Sequence, residues 1–121
     1  MASTKTDART GAQRIADERE RQVKKLGWDA KHDADHTDAS LAWAAVCYAA
    51  PARVYVMEAE DDGSFVRFYD PWPWSPESDK RPSEEDGTLF VEDRLRQLEK
   101  AGALIAAEID RLLAEMEDGD G

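Results

Sequence analysis

The segment His32-Asp33-Ala34-Asp35-His36 places two imidazoles and two carboxylates within five positions. Side chains of these types ligate divalent metals, and a charged imidazole can hold a phosphate group. On one helical turn His32 and His36 would share a face; in a loop the spacing implies nothing of the kind. The competing role is local, because Asp and His cap helix ends and bond within tight connections. Capping is the favoured reading. His32, Asp33, Asp35 and His36 stay as weak metal candidates, so no cofactor is required and a divalent metal is the option left open. Both histidines of the chain lie here, so a His-Asp phosphohydrolase, which needs a further His upstream, fails on count.

A second set is Glu18, Gln22, Lys100, Glu108 and Arg111. Lys100, Leu104, Glu108 and Arg111 follow one face of a C-terminal helical segment, and Glu18 and Gln22 stand one turn apart on an N-terminal one. If the two segments pack together, these polar groups converge on a pocket suited to a small ligand. Trp28, Tyr48, Trp72 and Trp74 would supply flat walls for a base, with His32 and His36 nearby. Against this stands an ordinary surface ladder of ion pairs, Glu108 with Arg111 included, worth about 0.3–0.5 kcal/mol per pair.

Catalytic signatures are missing. All-α nucleotide pyrophosphohydrolases need Glu-x-x-Glu on one helix and Glu-x-x-Asp on the next to chelate Mg²⁺; Asp17, Glu18 and Glu20, then Glu108 and Asp110, match neither motif. There is no Walker loop, dinucleotide glycine loop or Ser-His-Asp arrangement. Cys47 sits in an apolar run and reads as an inert core thiol. No residue is assigned as catalytic, and the balance leans against an enzyme.

The elements that must position these groups are mostly helical. Arg9 to Leu26 contains strong helix formers and no Pro, and Gly27 follows as a stop. Its apolar stripe is Ala12, Ile15, Ala16, Val23 and Leu26, with Arg19 and Gln22 intruding. Residues 27–38 form a His- and Asp-rich loop. Thr37 or Asp38 would cap a helix from Ala39 to Ala50, apolar almost all round and therefore central, which Pro51 closes. Residues 53–69 change period and read as a β-hairpin turning at Asp62-Gly63, which must pack on the helices or a partner to be stable. A loop over 70–88 carries Trp72-Pro73-Trp74. The last helix, Val91 to Met116, repeats Val91, Leu95, Leu98, Gly102, Ile105, Ile109, Leu112 and Met116 as its apolar seam, about 39 Å long. Residues 1–8 and the acidic tail 117–121 are expected to be disordered or frayed.

The fold class expected is mainly α: a compact three-helix core spanning 9–116 with a β-hairpin insertion, which dimerisation would complete as a bundle. The 121 residues suit one domain. The net charge of -11 is unevenly placed, since residues 1–57 carry +1 and residues 58–121 carry -12. Duplex nucleic acid is excluded as a direct partner by the missing basic footprint. No stretch is apolar enough to span a membrane, no apolar signal segment opens the chain, and a lone Cys47 suits a reducing cytoplasm.

The order of motifs resembles a family of small phage and prophage accessory proteins encoded in the early regions of lambdoid and related genomes. The resemblance rests on Glu18, Arg21 and Gln22, then Gly27-Trp28, His32-Asp33 with His36, Cys47-Tyr48-Ala49, Trp72-Pro73-Trp74, Lys100-Ala101-Gly102-Ala103-Leu104, Glu108 and Arg111. It covers about two thirds of the chain. The chain departs from the pattern in its hairpin at 53–69, in lacking an aromatic pair after Trp-Pro-Trp, and in Glu99, where an apolar residue is usual. The resemblance implies a phage origin, a helical core and the cytoplasm of an infected bacterium.

Combined with the polar and aromatic sets, it yields a functional expectation: an accessory protein that binds a nucleotide-type small molecule, as a counter-defence factor sequestering a nucleotide immune signal. The ligand-binding set is Glu18, Gln22, Trp28, His32, His36, Tyr48, Trp72, Trp74, Lys100, Glu108 and Arg111. The alternatives are an acidic nucleic-acid mimic that inhibits a basic host protein, and a metal-dependent nucleotide hydrolase. A homo-oligomer is expected.

Overall fold

The fold was obtained as a computed structural model, which describes residues 8–28, 33, 36, 38–82 and 91–119. The expectations for His32, Asp35, Thr37, the N-terminal seven residues and the 83–88 part of the loop fall outside them. The described chain is mainly helical, with three helices and one two-stranded hairpin.

Helix α1, Gly11–Leu26, begins where Thr10 caps it. The Thr10 hydroxyl accepts from Gln13 N–H at 3.2 Å, and the Gln13 side chain accepts from Thr10 N–H at 2.7 Å, a reciprocal capping box. Gly27 ends it at φ 73°, a left-handed conformation that glycine adopts at little cost, and Trp28 N–H closes back on the Gln22 carbonyl at 3.0 Å.

The inward face of α1 is not the apolar stripe. Glu18 and Gln22 are buried, while Ala12, Ala16 and Leu26 are exposed. Ile15, Glu18, Arg19 and Gln22 lie at i, i+3, i+4 and i+7, so they share one face. That face can be polar and still be buried because arginines neutralise Glu18.

Helix α2, Ser40–Ala49, starts one residue later than its composition suggests. Ala39 occupies the cap position in a left-handed conformation, φ 65°, and the Asp38 carboxylate accepts from Ser40 N–H at 3.1 Å. Leu41, Ala44, Ala45 and Tyr48 are buried, but Trp43 and Val46 face outwards, so the helix is central on one side only.

Helix α3, Val91–Gly119, is the spine. Its 29 residues span about 43 Å. Both α1 and α2 pack on it, and not on each other. The core is a seam of small and branched residues, with Leu41, Ala44, Ala45 and Tyr48 of α2 against Ala101, Leu104 and Ala107 of α3. Arg94 of α3 caps the C-terminal end of α2, donating to the carbonyls of Tyr48 at 3.3 Å, Ala50 at 3.2 Å and Ala49. Gly102 is where α1 crosses: a Cβ built there would lie 2.5 Å from Ile15 Cδ1.

The expected apolar seam of α3 points away from α2, and α1 meets it at Gly102. Leu95, Leu98, Ile105, Ile109, Leu112 and Met116 are each about half exposed or more. The face rich in Ala, Gln97 and charged residues is the one covered, because small side chains let α2 approach closely and arginine pairs satisfy the rest. The helix also continues through Glu117 and Asp118, so the acidic tail is helical to Gly119.

Strands β1 (Val56–Ala59) and β2 (Phe65–Tyr69) pair antiparallel, Val56 with Tyr69 and Glu58 with Arg67, with a register shift before Ala59. Neither strand packs on any of the three described helices, contrary to the stability argument from its sequence. The hairpin holds itself through Phe65 against Phe68 at 5.1 Å, Arg67 to Glu58 at 2.6 Å and Arg67 over the Tyr69 ring at 5.0 Å. No described helix is long and apolar enough to cross a membrane.

Candidate functional site

Segment 70–82 returns from the hairpin across the ends of α1 and α2. Its shape comes from the Asp70 carboxylate, which accepts from Trp72 N–H at 3.0 Å, and from a short 3-10 turn at Pro76–Ser78. Two arginines pin it. Arg81, only 4% exposed, bonds Asp70 at 2.8 Å and Asp79 at 2.7 Å; Arg53 bonds Asp70 at 3.1 Å and the Pro82 carbonyl at 3.2 Å. Burial pushes the Asp70 and Asp79 carboxyls up, but these hydrogen bonds and guanidinium charges outweigh it and hold both below the ordinary range.

The segment delivers its tryptophans to a continuous run of rings. Trp28 meets Trp74 at 5.9 Å, His36 meets Trp74 at 5.5 Å, Trp74 meets Trp72 at 5.5 Å, and Trp72 meets Tyr48 edge-on at 5.4 Å. The Tyr48 hydroxyl accepts from Lys80 N–H at 3.2 Å, tying the segment to α2. At the end of the run the Lys100 ammonium lies 5.5 Å from the Tyr48 ring centroid. Burial, aided by Arg96 and Arg21, pushes the Lys100 amine below its ordinary value, against the opposing pull of Glu18. No carboxylate among the described residues forms an ion pair with it.

Beside this run lies the polar face of α1. Glu18, 3% exposed, accepts from Arg21 at 2.9 Å and from Arg96 of α3 at 2.5 Å, and Gln22 approaches it at 3.4 Å. Burial raises the Glu18 carboxyl; the hydrogen bonds and charges of the two arginines together lower it further, so it stays ionised. Glu99 completes the face, bridging Arg14 at 2.7 Å and Arg96 at 3.3 Å. Among the described residues, the buried Gln22 Oε1, an acceptor, and the buried Trp74 Nε1, a donor, have no hydrogen-bond partner.

Of the eleven residues expected to bind a ligand, Trp28, His36, Tyr48, Trp72, Trp74 and Lys100 therefore form one connected run, with Glu18 and Gln22 alongside. His32 lies outside the described residues. Glu108 and Arg111 stand apart: Arg111 bonds Glu108 at 2.6 Å and Glu115 at 3.0 Å, an ion-pair ladder about two turns along α3 from Lys100.

The metal candidates fare differently. Asp33 is 2% exposed and accepts from Arg19 at 2.6 Å, while Arg19 also donates to the Trp28 carbonyl at 2.9 Å. The carboxylate thus ties Asp33 to α1. His36 Nδ1 lies 3.1 Å from the Ser40 hydroxyl, at the start of α2. Asp35 lies outside the described residues. Among the described residues no three His, Cys, Asp or Glu are grouped to hold a metal ion.

No protein-family model, curated protein or solved structure matches this chain.

Sequence reasoning does not single out Arg96, whose long side chain reaches from α3 to Glu18, and leaves Arg19 only as a polar intrusion on the apolar stripe of α1. Arg19 had a signal, an arginine beside Glu18 and Gln22 and upstream of a carboxylate-rich loop. Arg96 had none, because its partner is 78 positions away. Cys47 is buried, and burial pushes its thiol up, so the nucleophilic thiolate is disfavoured.

Proposed function

We propose that the protein binds a nucleotide-type small molecule along the Trp28–Trp74–Trp72–Tyr48 run, with the anionic part of the ligand at Lys100. Lys100 carries the reading. It is a half-buried cation over an aromatic face, it is depressed by burial and like charges, and it forms no ion pair with a described carboxylate. An anion placed there would relieve that cost, and the neighbouring rings offer π-faces to a base. The resemblance to phage early-region accessory proteins supports a biological setting, sequestration of a nucleotide immune signal in an infected bacterial cytoplasm.

Calorimetry against mononucleotides, dinucleotides and cyclic nucleotides tests this reading. At least one should bind, and Lys100→Met should weaken it about 10- to 100-fold, the worth of one charge-assisted hydrogen bond. Affinity should fall at a lower alkaline pH than an ordinary lysine would dictate, because burial and the neighbouring arginines make Lys100 lose its proton earlier. The ligand should be recovered intact after incubation with Mg²⁺ or Mn²⁺; its hydrolysis would favour the metal-dependent alternative. No binding by any of the panel at about 1 mM removes the proposal.

A further inference from the structure

The outer face of α3 has the pattern of a helix that pairs with another helix. From Leu95 to Met116 the steps alternate three and four, the a/d spacing of a coiled coil sustained over three heptads. Within one copy, α1 occupies only the middle of this seam, where Ile15 meets Gly102. Beyond that crossing Ile105 is 48% exposed, Ile109 51%, Leu112 46%, Leu113 53% and Met116 66%. Every residue from Leu112 to Asp118 is exposed, so the last two turns pack on nothing described within the same copy. An unsupported helix end of that length is marginal in water.

We infer that this half of α3 is the contact between two copies of the chain, paired antiparallel. Charge selects the direction. The C-terminal part of the helix carries Glu108, Asp110, Glu115, Glu117 and Asp118 against a single Arg111. Parallel pairing would set these acidic ends side by side, with the negative ends of both helix dipoles. Antiparallel pairing separates them, and Arg111 already neutralises Glu108 and Glu115 within each copy.

The pattern also sets the register. Ile105 of one copy faces Met116 of the other, and Ile109 faces Leu112, giving four apolar layers. Each C-terminal end then lies level with the other copy's Gly102, where Ile15 sits. Five side chains of roughly 150–200 Å², half exposed, bring about 900 Å² of apolar area in the pair. With the flanking atoms this reaches the roughly 1,000 Å² that a specific dimer needs. The contact uses none of the residues of the proposed ligand site, so either reading stands without the other.

Light scattering coupled to gel filtration tests the contact on the full chain. The expected mass is twice the 13.6 kDa of one copy, and Ile109→Asp with Leu112→Asp should return it to one copy. Both positions are half exposed, so far-UV circular dichroism should show the helices retained. A monomer in the unaltered protein at about 100 μM, or a dimer that survives both substitutions, overturns the inference. Direction is read by cross-linking. Ile105→Cys mixed with Met116→Cys should form a disulfide-linked pair under mild oxidation, and neither variant alone should. Cross-linking by Met116→Cys alone would mean parallel helices, and also overturns it.

Discussion

Glu18 shows how much a single side chain can do when its partners come from afar. Taking a carboxylate out of water is costly, and two arginines, one on the same helix and one on α3, more than offset that cost. Its folded pKa lies below the ordinary value of 4.5, so its contribution to stability is present above that pH and disappears as the pH falls through the lowered folded value. Arg21 and Arg96 are each more than a third exposed, which screens the pair. Glu18→Gln should therefore cost about 1–2 kcal/mol at neutral pH, less than a fully buried pair would. Urea unfolding from about pH 7 to about pH 3 should show the variant losing less stability on acidification than the parent, with the difference opening below the ordinary carboxylate value. A residual slope should persist in the variant, because Asp70 and Asp79 are also held low by Arg81 and Arg53. Asp33 teaches a related lesson. A residue type that suits metal chemistry is here the buried partner of Arg19, and the pairing explains its place without any ion.

At the scale of elements, the crossing of α1 on α3 is set by the absence of one methyl group. Glycine within a helix ordinarily costs about 0.5–1 kcal/mol relative to alanine, so Gly102→Ala would be expected to stabilise an isolated helix. Here the added Cβ would meet Ile15 Cδ1 at 2.5 Å, Cγ1 at 2.7 Å and Cγ2 at 3.0 Å. Cγ1 and Cγ2 are both bonded to the Ile15 Cβ, so turning χ2 moves only Cδ1 and the side chain or backbone must shift further; overpacking of this kind costs about 1–3 kcal/mol. Gly102→Ala should therefore destabilise by about 1 kcal/mol, whereas in an Ile15→Ala background the same change should be neutral or stabilising. A thermal or chemical double-mutant cycle measures the coupling. Equal effects in both backgrounds would mean that the helices do not cross at this position.

At the scale of the molecule, the helices and segment 70–82 form the body, and the hairpin stands off it. Arg53, Asp70 and Arg81 clamp the base of the hairpin to the body, yet Met57, Phe65 and Phe68 above that clamp are all more than half exposed. Replacing Met57–Phe68 with Asn-Gly would join Val56 to Tyr69, which are already paired, through a two-residue turn. Differential scanning calorimetry should then find the melting temperature within about 3 °C of the parent, because little surface of the body is uncovered. A fall of about 10 °C or more would place the hairpin in the folding unit. The acidic surplus is divided in the same way. Glu60, Asp61 and Asp62 sit at the tip of the hairpin, and Glu115, Glu117 and Asp118 at the end of α3. The aromatic run instead has its cation, Lys100, on the body, so the net charge of -11 says little about the candidate site.

Local chemistry made much of this legible from the sequence: three helices bounded by Gly27, Pro51 and the α3 repeat, the hairpin around Asp62-Gly63, and the buried thiol of Cys47. Those features depend on residues close together in the chain, where propensity, capping and period act directly. The same was true of the aromatic set, since Trp72 and Trp74 lie in one short motif and Tyr48 on one apolar helix. The faces of the helices were decided by tertiary structure alone. Periodicity shows that Leu98, Ile105, Ile109 and Leu112 share a side of α3, but not whether that side meets this chain or another. The inward side went to Ala101, Leu104 and Ala107 because α2 offers small residues that pack closely there, and to Glu18 and Gln22 because Arg96 arrives from 78 positions away to satisfy a buried charge. Burial of a charge depends on partners distant in sequence, and only the folded chain brings them together.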